Sequence, residues 1–269
     1  MPKRSRQCLF CDHSANSGEH LWSQWMSPQY PKTTRDKSQE TWRRIGPGGT
    51  YAPQERIYGG HPTNRKINCV CRDCNSGWMG ELESEAKPTI EPMMRGRRTN
   101  LNRAAQETVT RWLTLKMMVF EQADRGKPPS DEDATVFTRT DTLAFRDTLA
   151  IPGNMRVWLF RSRDREIRSH VTRAFSCLVT DVPIPGGKSK KANVQTVLFG
   201  AGQLVAFVAH SRLPEFELGE YRQTAATRIW PIVRDTACWP PLKAITSAQA
   251  RHIALTLDRY VSRPGMIRF

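Results

Sequence analysis

No run of this 269-residue chain approaches the roughly 18–20 uninterrupted apolar residues that a membrane-spanning helix needs; the longest candidate, Val197 to Ala209, is broken by Gly200, Gly202 and Gln203. Met1-Pro-Lys-Arg-Ser-Arg6 leads into Cys8 and Asp12, so no secretory signal is expected and a cytoplasmic setting is. Acidic residues are in deficit, 26 Asp plus Glu against 41 Lys plus Arg, and the net charge of +15 makes a polyanion the first partner to consider. No internal repeat is found. With 38% hydrophobic and 25% charged residues, the composition excludes collagen-like, coiled-coil and wholly disordered chains.

Branched aliphatic residues are scarce between Pro28 and Asn68, where Ile45, Ile57 and Ile67 stand among Pro, Gly, Thr, Arg and Lys. Such a segment builds little core by itself, and its ends must be held by something else. From Asn102 the pattern changes. Val109, Trp112, Leu113, Leu115, Lys116, Met117, Val119 and Phe120 predict a moderately amphipathic helix over about Arg103 to Ala123, closed by Gly126-Lys-Pro-Pro129. Ser130-Asp-Glu-Asp133 reads as the cap of a second helix through Thr135 to Arg139, and Asp141 to Leu149 as a third. Strand signals follow at Met155 to Phe160, Arg168 to Val179, Val194 to Phe199, Leu204 to His210 and Thr227 to Val233, with Gly200-Ala-Gly202 turning a hairpin. A last helix, capped by Thr246 or Ser247, is expected through Ala250, Ile253, Leu257 and Tyr260. The predicted fold class is α+β with an antiparallel sheet, divided into a region 1–100 and a C-terminal domain 101–269 in which no catalytic motif is found.

The seven cysteines are odd in number, five of them lie before residue 75, and they include Cys8-x-x-Cys11 and Cys71-x-x-Cys74. In a reducing compartment this favours metal over disulfides. Each x-x gap lets a pair grip one tetrahedral Zn²⁺, with sulfur at about 2.3 Å and backbone amides facing the sulfurs. A zinc shared by both pairs would pin the ends of the poorly hydrophobic segment. Cys69 competes with Cys71 through Cys69-Val-Cys71, and His13 and His61 are substitute ligands. Cys177 and Cys238 are expected in the core.

Glu19-His20 lies between the pairs, and Asn75 follows the last cysteine directly. With Glu19-His20-Leu-Trp-Ser-Gln-Trp25 and Cys71-Arg-Asp-Cys74-Asn75-Ser-Gly-Trp78-Met-Gly-Glu-Leu82-Glu83, the chain resembles the HNH endonuclease family, in its zinc-bearing bacterial and phage subgroup. The resemblance covers Cys8 to about Glu83, under a third of the chain. It implies a ββα-metal core with zinc at Cys8, Cys11, Cys71 and Cys74, endonuclease activity on DNA, and a bacterial or phage-infected cell. Two features depart from the family: Glu83 stands where the last histidine would fall, and the stretch from His20 to Asn75 is long.

The residues also make a chemical case. Phosphodiester hydrolysis needs a base for water and a cation to take up charge. His20 is the candidate base, its pKa near neutrality suiting proton transfer. Glu19 and Glu83 offer hard oxygens to a catalytic Mg²⁺ or Mn²⁺. Asn75 is expected to fix the His20 segment by hydrogen bonds, and a helix from Asn75 would carry Asn75, Met79 and Glu83 on one face. Trp22, Trp25, Trp78 and Leu82 are read as the small supporting core.

Basic clusters at Lys3-Arg4-Arg6, Arg43-Arg44, Arg95-Arg97-Arg98, Arg161-Arg163-Arg165-Arg168 and Lys188-Lys190-Lys191 suit backbone contact with DNA. A homodimer or a regulatory protein is a further candidate partner. The competing readings are an inactive zinc-containing nucleic-acid-binding protein and a phage structural or assembly protein.

Overall fold

Along three strands of the second half, apolar residues point alternately to two sides, and both sides are covered. The computed structural model describes residues 6–29, 37–45, 51–59, 61–122, 135–164, 170–175, 192–213 and 218–257. The strands are β1 (Ser17–His20), β2 (Lys37–Ile45), β3 (Tyr51–Gly59), β4 (Lys66–Val70), β5 (Thr99–Asn102), β6 (Arg156–Ser162), β7 (His170–Phe175), β8 (Ala192–Ala201), β9 (Leu204–Ser211), β10 (Thr227–Trp230), β11 (Thr236–Trp239) and β12 (Ala244–Ile245). The helices are α1 (Arg72–Ser76), α2 (Trp78–Met94), α3 (Arg103–Gln122), α4 (Arg139–Thr148) and α5 (Ser247–Ala254). The fold is a mixture of helix and largely antiparallel sheet.

The main sheet runs β10-β6-β9-β8-β7-β2-β3, with β12 beside β6. Its pairings are antiparallel except β2 with β7 and β12 with β6. Val157, Leu159, Val197, Phe199, Ala206 and Val208 face α3 on one side, while Trp158, Phe160, Leu198, Val205 and Phe207 face α5 on the other. This two-residue alternation needs no polar face, so β9 is buried throughout and reads as an apolar run from Leu204 to Ala209. Each large apolar side chain so enclosed contributes about 1.5–3 kcal/mol.

Buried between the sheet and α2, α3 hides polar residues as well as apolar ones. Thr110 and Thr114 return their hydroxyls to carbonyls one turn back, Gln106 donates to the Leu101 carbonyl, and Glu121 accepts from the backbone of Val136 and Phe137. The chain then turns into α4, which opens on a capping box between Thr138 and Asp141. Thr135 to Thr138, expected to be helical, are not: Thr138 is the cap itself, in extended backbone. α5 begins on the same device, Thr246 with Gln249.

In the sparse N-terminal segment, the described strands are held by pairing. β2 and β3 form a hairpin, and β2 adds its backbone hydrogen bonds to the edge of the main sheet at β7. The expected division at residue 100 falls inside β5, whose partner β11 lies far along the chain, and one core cluster contains residues from both sides of it. Cys238, expected in the core, is exposed, because β11 buries Ala237 and Trp239 and turns the residue between them outward. Cys177, the Ser130 to Asp133 signal, Tyr260 and the clusters at Lys3-Arg4, Arg165-Arg168 and Lys188-Lys191 lie outside the described residues. Among the described residues no helix is long and apolar enough to cross a membrane.

Candidate metal centre and adjoining cleft

The thiols come together first. Cys8, Cys11, Cys71 and Cys74 are buried and their sulfurs all lie within 4.8 Å of one another, close enough to bind one metal ion such as zinc. Cys8 and Cys11 sit on a turn closed by Cys8 N–H to the His13 carbonyl at 2.7 Å, and Cys71 caps α1, where the Cys74 N–H donates to its sulfur at 3.4 Å. The Cys71 N–H reaches Cys8 Sγ at 3.2 Å and the Phe10 N–H reaches it at 3.5 Å. Backbone donors aimed at sulfur suit thiolates. Burial pushes the Cys11 and Cys74 thiols up and would do the same to Cys71, but hydrogen bonds from the Cys74 backbone and the neighbouring thiols bring Cys71 down to about 7. Four thiols sharing one buried space need a cation before all can ionise, which is what a metal supplies.

Of the alternatives, Cys69 is buried outside this set, and His13 instead meets Asp73 at the surface, 3.5 Å apart. His61 turns its Nδ1 to the Thr63 hydroxyl at 2.8 Å. A distant residue also steadies the cysteine turn: Arg139, at the start of α4, donates from Nη1 to the carbonyls of Cys8 and Leu9 at 2.7 and 2.9 Å. Phe10 packs edge-on against Trp78, ring centres 5.0 Å apart, and Trp78 in turn against Phe145. Trp22 and Leu82 are buried and Trp25 is partly buried, so the expected supporting core is in place.

β1 pairs antiparallel with β4, placing Glu19 opposite Ile67 and His20 opposite Lys66. Gly18 fits this close approach because an added Cβ would meet the Asn68 side chain at 2.8 Å. After β4 the chain enters α1, breaks at Gly77 and continues as α2. A side chain at 77 would strike the Asp73 carbonyl at 2.6 Å, so glycine lets the two helices run almost head to tail. Asn75 binds α1 back to β1, its Nδ2 donating to Ser17 Oγ at 2.8 Å and, more weakly, to the Gly18 carbonyl at 3.5 Å.

Between β1 and α2 opens a cavity of about 470 Å³ whose lining includes Glu19, His20, Asn75, Met79, Glu83 and Lys87. The four residues predicted for chemistry therefore share one cleft. His20 Nδ1 lies 2.6 Å from the Thr63 carbonyl oxygen. Because a carbonyl only accepts, Nδ1 carries the proton and Nε2 keeps the lone pair. Burial holds the His20 pKa below its ordinary value, with Lys66 and Lys116 adding to the effect. The imidazole is thus neutral near pH 7, as a base must be.

The carboxylates are committed elsewhere than expected. Lys116 Nζ, from α3, lies 2.5 Å from Glu19 Oε1 and 3.5 Å from Glu83 Oε2, and it donates to the His20 carbonyl at 3.0 Å. Glu83 also accepts from Trp25 Nε1 at 2.8 Å. Glu19 and Glu83 thus converge on one point, as a cation site would require, but an ammonium occupies it. As they stand they do not fit a divalent ion. Burial alone would push Lys116 down; Glu19 and then Glu83 more than offset it and hold its pKa above the ordinary value. The sequence gives Lys116 only as one residue of a helical pattern, and nothing local marks it as a partner of Glu19.

Comparison with family models, with curated proteins and with solved structures finds no match to this chain.

Proposed function

We propose that this chain is an endonuclease of the HNH kind that hydrolyses DNA phosphodiester bonds, with β1, β4 and α1–α2 as its ββα core. The observation that carries the reading is His20, oriented through Nδ1 by the Thr63 carbonyl, in a cleft shared with Asn75 and Lys87 beside the four-cysteine cluster. Zinc at Cys8, Cys11, Cys71 and Cys74 is structural in this reading: it joins the turn before β1 to the helix after β4.

His20 Nε2 takes a proton from a water molecule as the water oxygen forms its bond to phosphorus. The P–O3′ bond breaks, its electron pair leaves with O3′, and the imidazolium or solvent returns a proton to that oxygen. The products are a 5′-phosphate and a 3′-hydroxyl. Lys87 on the cleft wall and Lys66 opposite His20 supply positive charge for the non-bridging oxygens. No step passes through a divalent ion at Glu19 and Glu83.

A nucleic-acid substrate is supported by what lies at the other end of α2. Lys87 and Arg95 lie eight residues apart on one side of α2, Arg95 paired with Glu91, and the helix ends against the β8–β9 turn, where the Gln203 N–H donates to the Met94 carbonyl at 2.8 Å. There Arg161, Arg163 and Lys243 line a groove of about 680 Å³ with Gln203. From Glu83 to Arg95 the helix spans about 18 Å at its ~1.5 Å rise, roughly five phosphate spacings of one strand.

The test is plasmid nicking. Wild-type protein is expected to cut, and His20→Ala to lose about 10²–10⁴-fold in rate while binding DNA with unchanged affinity. Equal cutting by both removes His20 from the chemistry. The second reading, a zinc-containing DNA-binding protein without activity, is favoured by the ammonium between Glu19 and Glu83; salt-sensitive binding without cutting under any metal condition would establish it.

A further inference from the structure

Lys116 is the residue around which the cleft is built. Its side chain is 1% exposed. Glu19, Glu83 and the His20 carbonyl provide three oxygens for its three N–H donors, and the Trp112 ring, its centre 5.8 Å from Nζ, presents a fourth favourable surface. Nζ thus hydrogen-bonds to Glu19 and to the His20 carbonyl and pairs with the Glu83 carboxylate, all within the protein. A divalent ion placed between the same carboxylates would have to share their oxygens with this ammonium or drive it into the apolar interior around α3. Either move sets like charges together or strands a buried charge.

The ammonium also does something an exchangeable ion would not. Because Lys116 is covalently part of α3, it ties both β1 residues, Glu19 by its carboxylate and His20 by its carbonyl, to the helix that packs on the main sheet. His20 is thereby gripped twice, by Lys116 at its backbone and by Thr63 at its ring.

We infer that Lys116 is the resident cation of this cleft: it takes the place of a divalent ion at Glu19 and Glu83 and positions His20, so that hydrolysis needs no Mg²⁺ or Mn²⁺ at those carboxylates. The inference rests on the nuclease reading for its activity arm only. Lys116 is a positioning residue; buried as it is, it does not touch the phosphate.

Full-length, zinc-loaded protein freed of other divalent ions is titrated with Mn²⁺, and bound ion is counted by electron paramagnetic resonance. Wild type is expected to take up none at the cleft. Lys116→Met, which releases both carboxylates, is expected to bind one Mn²⁺, and Lys116→Met with Glu19→Gln to lose it again. In parallel, plasmid cutting by wild type is expected without Mg²⁺ or Mn²⁺ and unchanged by adding them, whereas Lys116→Met falls by on the order of 10–100-fold and recovers when Mn²⁺ is supplied. A purely structural lysine would give no such metal-dependent recovery. The inference is overturned if wild type binds one Mn²⁺ that Glu19→Gln abolishes, or if its cutting requires Mg²⁺ or Mn²⁺. Should Lys116→Met fail to fold, the wild-type titration alone decides. Should wild type cut under no condition, the nuclease reading fails while the Mn²⁺ count still settles which cation holds the carboxylates.

Discussion

Around β6, β8 and β9 the interior is made of Trp158, Phe160, Val205, Phe207 and their neighbours, and apolar burial is sufficient to hold it. Around β1, β4 and α1 the interior encloses four thiols, a Lys116–Glu19 pair, and backbone groups committed to side chains far along the chain. The first region is held by its own side chains; the second joins thiols placed to share one ion with partners supplied by α3 and α4. The difference shows where chemistry can be placed. A cleft needs polar groups held still, and here charge pairs and hydrogen bonds from distant elements are added to the packed residues Phe10, Trp22 and Leu82.

Three outcomes would sharpen or break this contrast. The largest concerns the metal. Binding of a structural zinc is worth about 10–16 kcal/mol in small zinc domains, so Cys74→Ser is expected to abolish zinc uptake and to unprotect the amides of β1, β4 and α1 in hydrogen exchange while β8 and β9 stay protected. Protection unchanged in all five would mean that the thiol cluster does not support the cleft.

Next comes the reverse experiment. Phe207→Ala removes a fully buried ring from the α5 side of the sheet and is expected to cost about 3–5 kcal/mol in urea unfolding, with one zinc still bound. Loss of zinc in this variant would show the two interiors to be one cooperative unit.

The smallest effect is acidic. His210, buried on β9 and stacked on Phe137 with ring centres 4.5 Å apart, has its pKa lowered by burial to about 4. In the unfolded chain it takes up a proton below about 6.5, whereas the folded chain resists until pH 4. Stability is therefore unaffected by His210 above that range and falls as the pH drops through it, by roughly 3 kcal/mol in all. Subtracting the acid-induced loss of His210→Gln from that of wild type isolates the contribution; equal losses would refute it.

How much of this was legible in the sequence depended on whether the signal was local. The helix over Arg103 to Gln122, the hairpin through Gly202 and the helix capped by Thr246 each carry their period, turn or cap within one window. The Cys-x-x-Cys pairs were legible across sixty residues because chelation needs those residue types at that gap. Illegible features depend on what pairs with what. Nothing in Lys116 distinguishes a solvated lysine from one joined to Glu19, because the reason lies 97 residues away. Cys238 read as core because a lone cysteine usually is, and only its register on β11 turns it outward. The β2–β3 hairpin has little apolar signal, since it is held by the backbone of β7.

Arg139 gives the architecture a consequence for engineering. A fragment ending with α3 would keep every cleft residue and all four cysteines, yet the carbonyls of Cys8 and Leu9 would lose the guanidinium that steadies them. The cysteine-bearing third of the chain is therefore not a portable cassette: transplanted onto another protein, it would have to bring α4 with it, or find a host that offers a cation at the same spot.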